Sequence, residues 1–226
     1  MSDALIVFAK VPEPGQVKTR LTPMLSPADA ARLYDAFLRD ALSQYSGLGA
    51  AVRLYLAPPE RPLPGDLVPS GVDVCWQAGE GLGARMQRAF VETVAAGAHR
   101  VVVIGTDHPT LPSSFIEQAF LALGPPRSVA IGPSNDGGYY LLGMNDVLPP
   151  LFEMTYSHEA VFDETLTRAA AAGADLTILP PWYDVDTPDD LRRLMEELDA
   201  SSVEAPHTRA AIADLRPFIE ERTSTG

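Results

Sequence analysis

The chain has 226 residues, 46% of them hydrophobic and 21% charged, with a formal net charge of -13. That length suits one α/β domain or at most two small ones. The acidity argues against a nucleic-acid-binding surface, and the single cysteine, Cys75, excludes an intrachain disulfide and a cysteine-based zinc site. No apolar run reaches membrane-spanning length and no basic leader precedes the first apolar run, so the expected compartment is the cytoplasm.

Strand and helix signals alternate along the chain, which predicts α/β architecture. Residues Ala4 to Ala9 read as a first strand, followed by a loop rich in Pro and Gly. Ser26-Pro27 then marks a helix start, with Pro in the first helical position, and the helix runs to about Tyr45. Val52 to Ala57 and Val72 to Gln77 read as strands, separated by a Pro-rich surface loop. Cys75 is expected as a small buried hydrophobe within the second of these. Gly79 to Gly83 opens a helix lasting to about Ala96. The β-branched run Val101 to Ile104 is a buried parallel strand, ending at Gly105-Thr106-Asp107-His108-Pro109.

A helix from Ser113 to about Gly124 and a strand over Val129 to Ile131 follow. Asn135-Asp136-Gly137-Gly138 is a turn, and Tyr139 to Gly143 a strand leaving it. Ser157 or His158 is placed to cap a helix over Glu159 to Ala172, and Leu176 to Leu179 is a late strand. Thr187-Pro188-Asp189-Asp190 caps a helix ending near Ala200. A last helix spans Ala205 to Glu221, and the tail beyond it is expected to fray. Residues 1–200 are expected as a single nucleotide-binding domain, with 201–226 as a C-terminal helix and tail.

Four constellations carry chemistry. Lys10, Lys18 and Arg20 fall within one loop after the first strand, where doubly wound folds place phosphates, and Gly15 allows close backbone approach. This is not a Walker motif, because Gly-x-x-x-x-Gly-Lys is absent. Gly79-Glu80-Gly81-Leu82-Gly83-Ala84-Arg85 lacks the spacing of a dinucleotide fingerprint, and reads instead as a helix start lining the ligand cleft with Gly83 and Arg85. Plain helix-start glycines fit it equally well.

Asp107, at the carboxyl end of a central strand, can hold Mg²⁺ or Mn²⁺ bridging diphosphate oxygens. Asp184 and Asp186 are placed to complete that site, although Asp186-Thr187-Pro188 is also an ordinary helix start. In Asp136-Gly137-Gly138-Tyr139 the second glycine exceeds what a tight turn needs and leaves room for an acceptor, with Asp136 able to orient a hydroxyl or act as a general base.

Taken together, these blocks resemble the radical-SAM/selenodomain-associated transferases, a family also named for arsenosugar-biosynthesis glycosyltransferases. The matching stretches run from Phe8 to Leu21, Gly81 to Met86, Gly105 to Pro109, Asp136 to Gly143 and Asp184 to Leu191. The resemblance implies a GT-A-like, nucleotide-diphospho-sugar transferase fold: an α/β mixed, mostly parallel sheet flanked by helices. More distantly the chain is similar to 2-phospho-L-lactate guanylyltransferase and the molybdenum-cofactor nucleotidyltransferases. It implies a nucleotide against the first loop and a divalent metal at Asp107. His108 stands where the family has a small Ser, and Tyr156 where it has Trp.

Three functions are then open. The first is an Mg²⁺-dependent nucleotidyltransferase joining an NTP to a small phosphorylated acceptor, with Asp107, Lys18, Arg20 and Asp136 at its centre. The second is a glycosyltransferase using an NDP-sugar on a small acceptor; Gly105 in place of an acid weakens it. The third is a nucleotide-binding module without catalysis. The residues leave base, acceptor and oligomeric state open.

Overall fold

A computed structural model describes residues 2–223, with side chains through Glu220. Seven strands form one sheet in the order β3-β2-β1-β4-β6-β5-β7. These are β1 (Asp3–Lys10), β2 (Ala51–Ala57), β3 (Asp73–Trp76), β4 (Arg100–Ile104), β5 (Ser128–Pro133), β6 (Tyr139–Met144) and β7 (Asp175–Ile178). β1 pairs in parallel with both β2 and β4, whereas β6 is antiparallel to both β4 and β5. The sheet is therefore mixed and mostly parallel. Its order reverses at β1, where the chain leaves for β2 on one side and returns to β4 on the other. That is the switch point at which open α/β sheets bind ligands.

The helices are α1 (Pro27–Ser46), α2 (Gly81–Ala95), α3 (Ser113–Ala122), α4 (Val161–Ala171), α5 (Pro188–Ala200) and α6 (Pro206–Thr223). Strand residues alternate between two faces. Leu5, Val7, Leu54 and Val102 pack with α1 and α3, while Ala4, Ile6, Val101 and Val103 pack with α2 and α4. Both faces are thus covered, which is why these strands read as continuous apolar runs.

A further cluster joins Leu33 and Phe37 of α1, Leu191 and Leu194 of α5, and Ile212 and Leu215 of α6. Asp40 of α1 caps α6 through the His207 and Thr208 amides, at 3.0 and 2.7 Å.

Ser26 caps α1 by accepting from the Asp29 amide, and Thr187 with Asp190 forms a complete capping box on α5. α4 begins later than expected, at Val161, and its lead-in is held by the Ala160 amide donating to His158 Nδ1 at 3.2 Å. Ser157 is no cap; it lies in the cleft wall. Cys75 is only half-buried, because β3 is an edge strand, and its Sγ faces Arg53. Two short 3₁₀ turns, Thr19–Leu21 and Pro149–Phe152, escape the periodicity signals. α6 continues to Thr223; the rest of the expected tail lies outside the described residues.

Candidate functional site

A cleft of about 580 Å³ opens at the carboxyl ends of β1 and β4. Lys10, Lys18, Arg20 and Arg85 line it, and so do Asp107, Asp136, Asp184 and Asp186. The fold brings these charges together from five separate stretches. Val185 is fully buried in the α1–α5–α6 cluster, and its two flanking aspartates turn the other way, into the cleft. The Val185 amide donates to the Asp107 carbonyl at 2.7 Å, so the two acidic corners are joined through the backbone.

Lys18 stands in a place the sequence reading does not anticipate. It is expected as a phosphate ligand of the first loop. Its side chain is only 2% exposed, against 73% for Arg20, and its ammonium pairs with Oδ1 of Asp107 and, at 3.0 Å, with Oδ1 of Asp186. The nitrogen lies 5.9 Å from the ring centre of Tyr34 and 5.7 Å from that of Phe37. Burial disfavours the charge, but the two carboxylates more than offset it and hold the ammonium above the ordinary lysine range. Lys18 takes a left-handed backbone, φ 48°, which costs a side-chain-bearing residue about 1–2 kcal/mol and places the ammonium inward.

Asp107 shows the converse balance. Burial raises its carboxyl, Lys18 lowers it more, and the net shift is downward. Asp184 has no hydrogen-bond partner among the described residues. Burial, then the neighbouring Asp107, Asp136 and Asp186, push it up to about 7 against partial relief from Lys18. His108 is buried with both ring nitrogens unpartnered, its ring edge-on to Tyr140 at 5.7 Å; burial pushes its pKa down to about 4.

Two residues missed by sequence reading organise the site. Tyr34 accepts from the Lys10 amide at 2.9 Å, which leaves its O–H to bond Thr106 Oγ1 at 3.0 Å. It thereby ties the end of β1 to the Asp107 corner. Gln77 donates its amide N–H groups to the Ala9 and Tyr55 carbonyls at 3.1 and 2.9 Å, which orients its oxygen. Neither sits in a motif, and each looks locally like a packing residue.

The glycines divide differently from expectation. Gly15 is exposed at φ 77°, with open space around it, and does not line the cleft. Gly83 serves packing: a Cβ there would stand 2.2 Å from the Phe152 carbonyl, so its absence lets α2 meet the Pro149–Phe152 turn. Gly137, at φ 86°, is pressed against the Glu159 backbone. Gly138 has no such φ and does not line the cleft, whereas Asp136 and Tyr139 do. Asp136 Oδ1 accepts from the Ser134 hydroxyl and, at 2.9 Å, from the Gly138 amide. Oδ2 has no partner among the described residues.

The donor set fits a divalent cation held jointly with a ligand. Among the described residues no three His, Cys, Asp or Glu side chains form a complete metal cage. Asp107 Oδ2 and the whole Asp184 carboxylate are nevertheless unpartnered beside Asp186, and Mg²⁺ characteristically takes one or two carboxylates plus phosphate oxygens and water.

Known structures repeat this architecture. A candidate nucleotide-diphospho-sugar transferase from Desulfovibrio desulfuricans G20 superposes with a TM-score of 0.90 at 33% identity, over 98% of this chain and 99% of that one. A cytidylyltransferase from Leptospira borgpetersenii serovar Hardjo-bovis gives 0.54 at 15% identity, over 97% of each chain. CMP:2-keto-3-deoxy-manno-octonic acid synthetase, solved with CTP, gives 0.54 at 14%, over 87% of this chain and 98% of that one. The last two share the fold alone, which is the GT-A-like nucleotide-diphospho-sugar transferase type. A family profile matches residues 41–158, just over half of the chain. On that match and the end-to-end relative from Desulfovibrio, the chain belongs to the family described as uncharacterized protein conserved in bacteria, DUF2064.

Proposed function

We propose that this protein is a nucleotide-using transferase, and specifically a nucleotidyltransferase acting on a small phosphorylated acceptor. One observation carries the reading: cations and carboxylates from five stretches of the chain meet in one cleft at the sheet's switch point. Lys10, Arg20 and Arg85, beside the paired Lys18, suit a triphosphate, which presents more charge than a sugar nucleotide. A phosphate oxygen of the acceptor would attack the α-phosphorus, and the bond to the β-phosphate oxygen would break to release pyrophosphate.

In that reaction Arg20 and Arg85 bind phosphate oxygens, and Lys10 lines the same cleft. Asp107 and Asp186 hold Mg²⁺, with Asp184 beside them; the ion supplies neutralisation of the leaving diphosphate. Asp136, fixed through Oδ1, presents Oδ2 to orient an acceptor hydroxyl. Tyr139 stands at the acceptor end, and the turn behind it steadies Asp136 through the Gly138 amide. Catalysis is mostly positioning and electrostatics. The names of the Leptospira and CTP-bound relatives agree with nucleotidyl transfer.

The Desulfovibrio relative favours a second reading, glycosyl transfer from an NDP-sugar. Gly105, where a metal-dependent glycosyltransferase would place an acid, speaks against it.

A melting-temperature panel of NTPs and NDP-sugars, with and without Mg²⁺ or Mn²⁺, tests the proposal, because a ligand of the folded state raises the transition. An NTP should stabilise more than any NDP-sugar, and turnover should release pyrophosphate. Release of a nucleoside diphosphate would establish the second reading, and no shift with any nucleotide would defeat both.

A further inference from the structure

The Lys18 ammonium stands between two carboxylates that, on the reading above, belong to a metal ion. We propose that Lys18 and a divalent cation compete for the Asp107–Asp186 pair, so that Lys18 must withdraw from the carboxylates when metal enters. The inference rests on the proposed metal site, but it concerns this chain's own lysine.

Three observations support it. Lys18 occupies Oδ1 of both aspartates at once, which is the place a bridging cation would take. Its pairing partners are roughly two-fifths exposed on their other sides, so ligand and ion can approach while the ammonium itself is enclosed. Finally, its anchorage is conditional. Lys18 has a left-handed backbone at the start of a three-residue 3₁₀ turn, and the rest of its hold comes from the faces of Tyr34 and Phe37. A cation that satisfies both carboxylates removes the main reason for that conformation. The released ammonium remains within the cleft lined by Arg20 and Lys10, where it can meet phosphate oxygens.

Removing one positive group from an active site ordinarily weakens anion binding. Here it should also strengthen binding of metal alone. Lys18→Met keeps the aliphatic packing on Tyr34 and Phe37 and deletes only the charge. Mn²⁺ titrated without nucleotide, followed by its electron paramagnetic resonance signal, should bind Lys18→Met about tenfold tighter than wild type. Arg20→Met removes an equal charge 3.7 Å from Asp186 but without occupying the site, and should change Mn²⁺ affinity by less than about twofold. Adding Asp107→Asn to Lys18→Met should abolish the gain. Equal affinity in Lys18→Met and wild type, a gain in Arg20→Met as large as in Lys18→Met, or no Mn²⁺ binding to any of them would overturn the inference.

Wild-type protein gives an independent test should the variant not fold. With uniform ¹⁵N labelling, the enclosed Lys18 ammonium should give a slowly exchanging NMR signal beside the amide spectrum. Mg²⁺ alone should erase that signal as the Asp107 amide shifts. Persistence of the signal after the amide shift is complete would also overturn the inference. The titrations contain no nucleotide, so their failure is separate from failure of the nucleotide panel.

Discussion

Asp184 answers first to burial and then to the carboxylates around it. Its carboxyl, ordinarily near 3.8, sits near 7 in the folded chain. Between those values the folded protein holds a proton that the unfolded chain has released. The stability from that proton is full below about pH 4 and is lost as the pH rises through about 7. Asp184→Asn should therefore leave stability nearly unchanged at pH 4 and raise it by about 1–2 kcal/mol at pH 8, allowing for screening at a half-buried site. Urea unfolding at both pH values measures this, and an equal gain at each would show that charge is not the cause.

His108 slopes the other way. Its folded pKa of about 4 lies below the ordinary 6.5, so it contributes stability above pH 6.5 that is lost as pH falls toward 4. Asp107→Asn removes one partner of a buried ammonium and should cost about 1–2 kcal/mol while Asp186 retains the other bond. In calorimetry it should also abolish metal-dependent enhancement of nucleotide binding. Intact enhancement would show that the metal is held elsewhere. The acidic corner was readable as Gly105-Thr106-Asp107 closing an apolar run. The burial of Lys18 was not, because it depends on Tyr34 and Phe37 of a helix that follows and on Asp186, 168 residues away.

At the scale of elements, periodicity marked the strands and helices well because both sheet faces are covered. It left the role of individual glycines open, since a glycine that frees the backbone and one that admits a neighbour look alike in a sequence. Gly137 and Gly138 separate the two. A Cβ on Gly137 would lie 2.1 Å from the Glu159 carbonyl and force a φ of 86° on a side-chain-bearing residue. Gly137→Ala should cost about 2–4 kcal/mol. A Cβ on Gly138 would meet chiefly the Asp136 side chain, 3.1 Å away. Gly138→Ala should therefore cost less than about 1 kcal/mol, yet disturb the carboxylate that faces the acceptor. Melting temperature, nucleotide affinity and turnover measured on each variant decide the matter. Joint loss of stability and nucleotide binding in Gly138→Ala would make the turn a scaffold only.

Across the whole molecule, the alternation of elements was enough to read an α/β sheet, but not its order. The Asn135–Gly138 turn marks the β5–β6 hairpin, but the pairing of β6 with β4, which inserts it between β4 and β5, is long-range and no local pattern encodes it. The C-terminal helix was legible in sequence but its docking was not; in the fold, Ala205, Ile212 and Leu215 pack in the same cluster as Val185 and Leu191. We infer that a chain ending at Ala200 is destabilised by several kcal/mol, because that cluster becomes exposed. A truncated protein with the melting temperature of the full chain would show that α6 is dispensable.

The hydrogen bond from the Val185 amide to the Asp107 carbonyl gives this fold a built-in clock. That proton cannot exchange with solvent deuterium until the corner after β4 and the corner before α5 part company. Its exchange rate therefore counts the openings of the cleft floor one amide at a time. A ligand that braces both corners would slow the clock, and a lesion in α6 would hasten it through the cluster that Val185 shares with that helix.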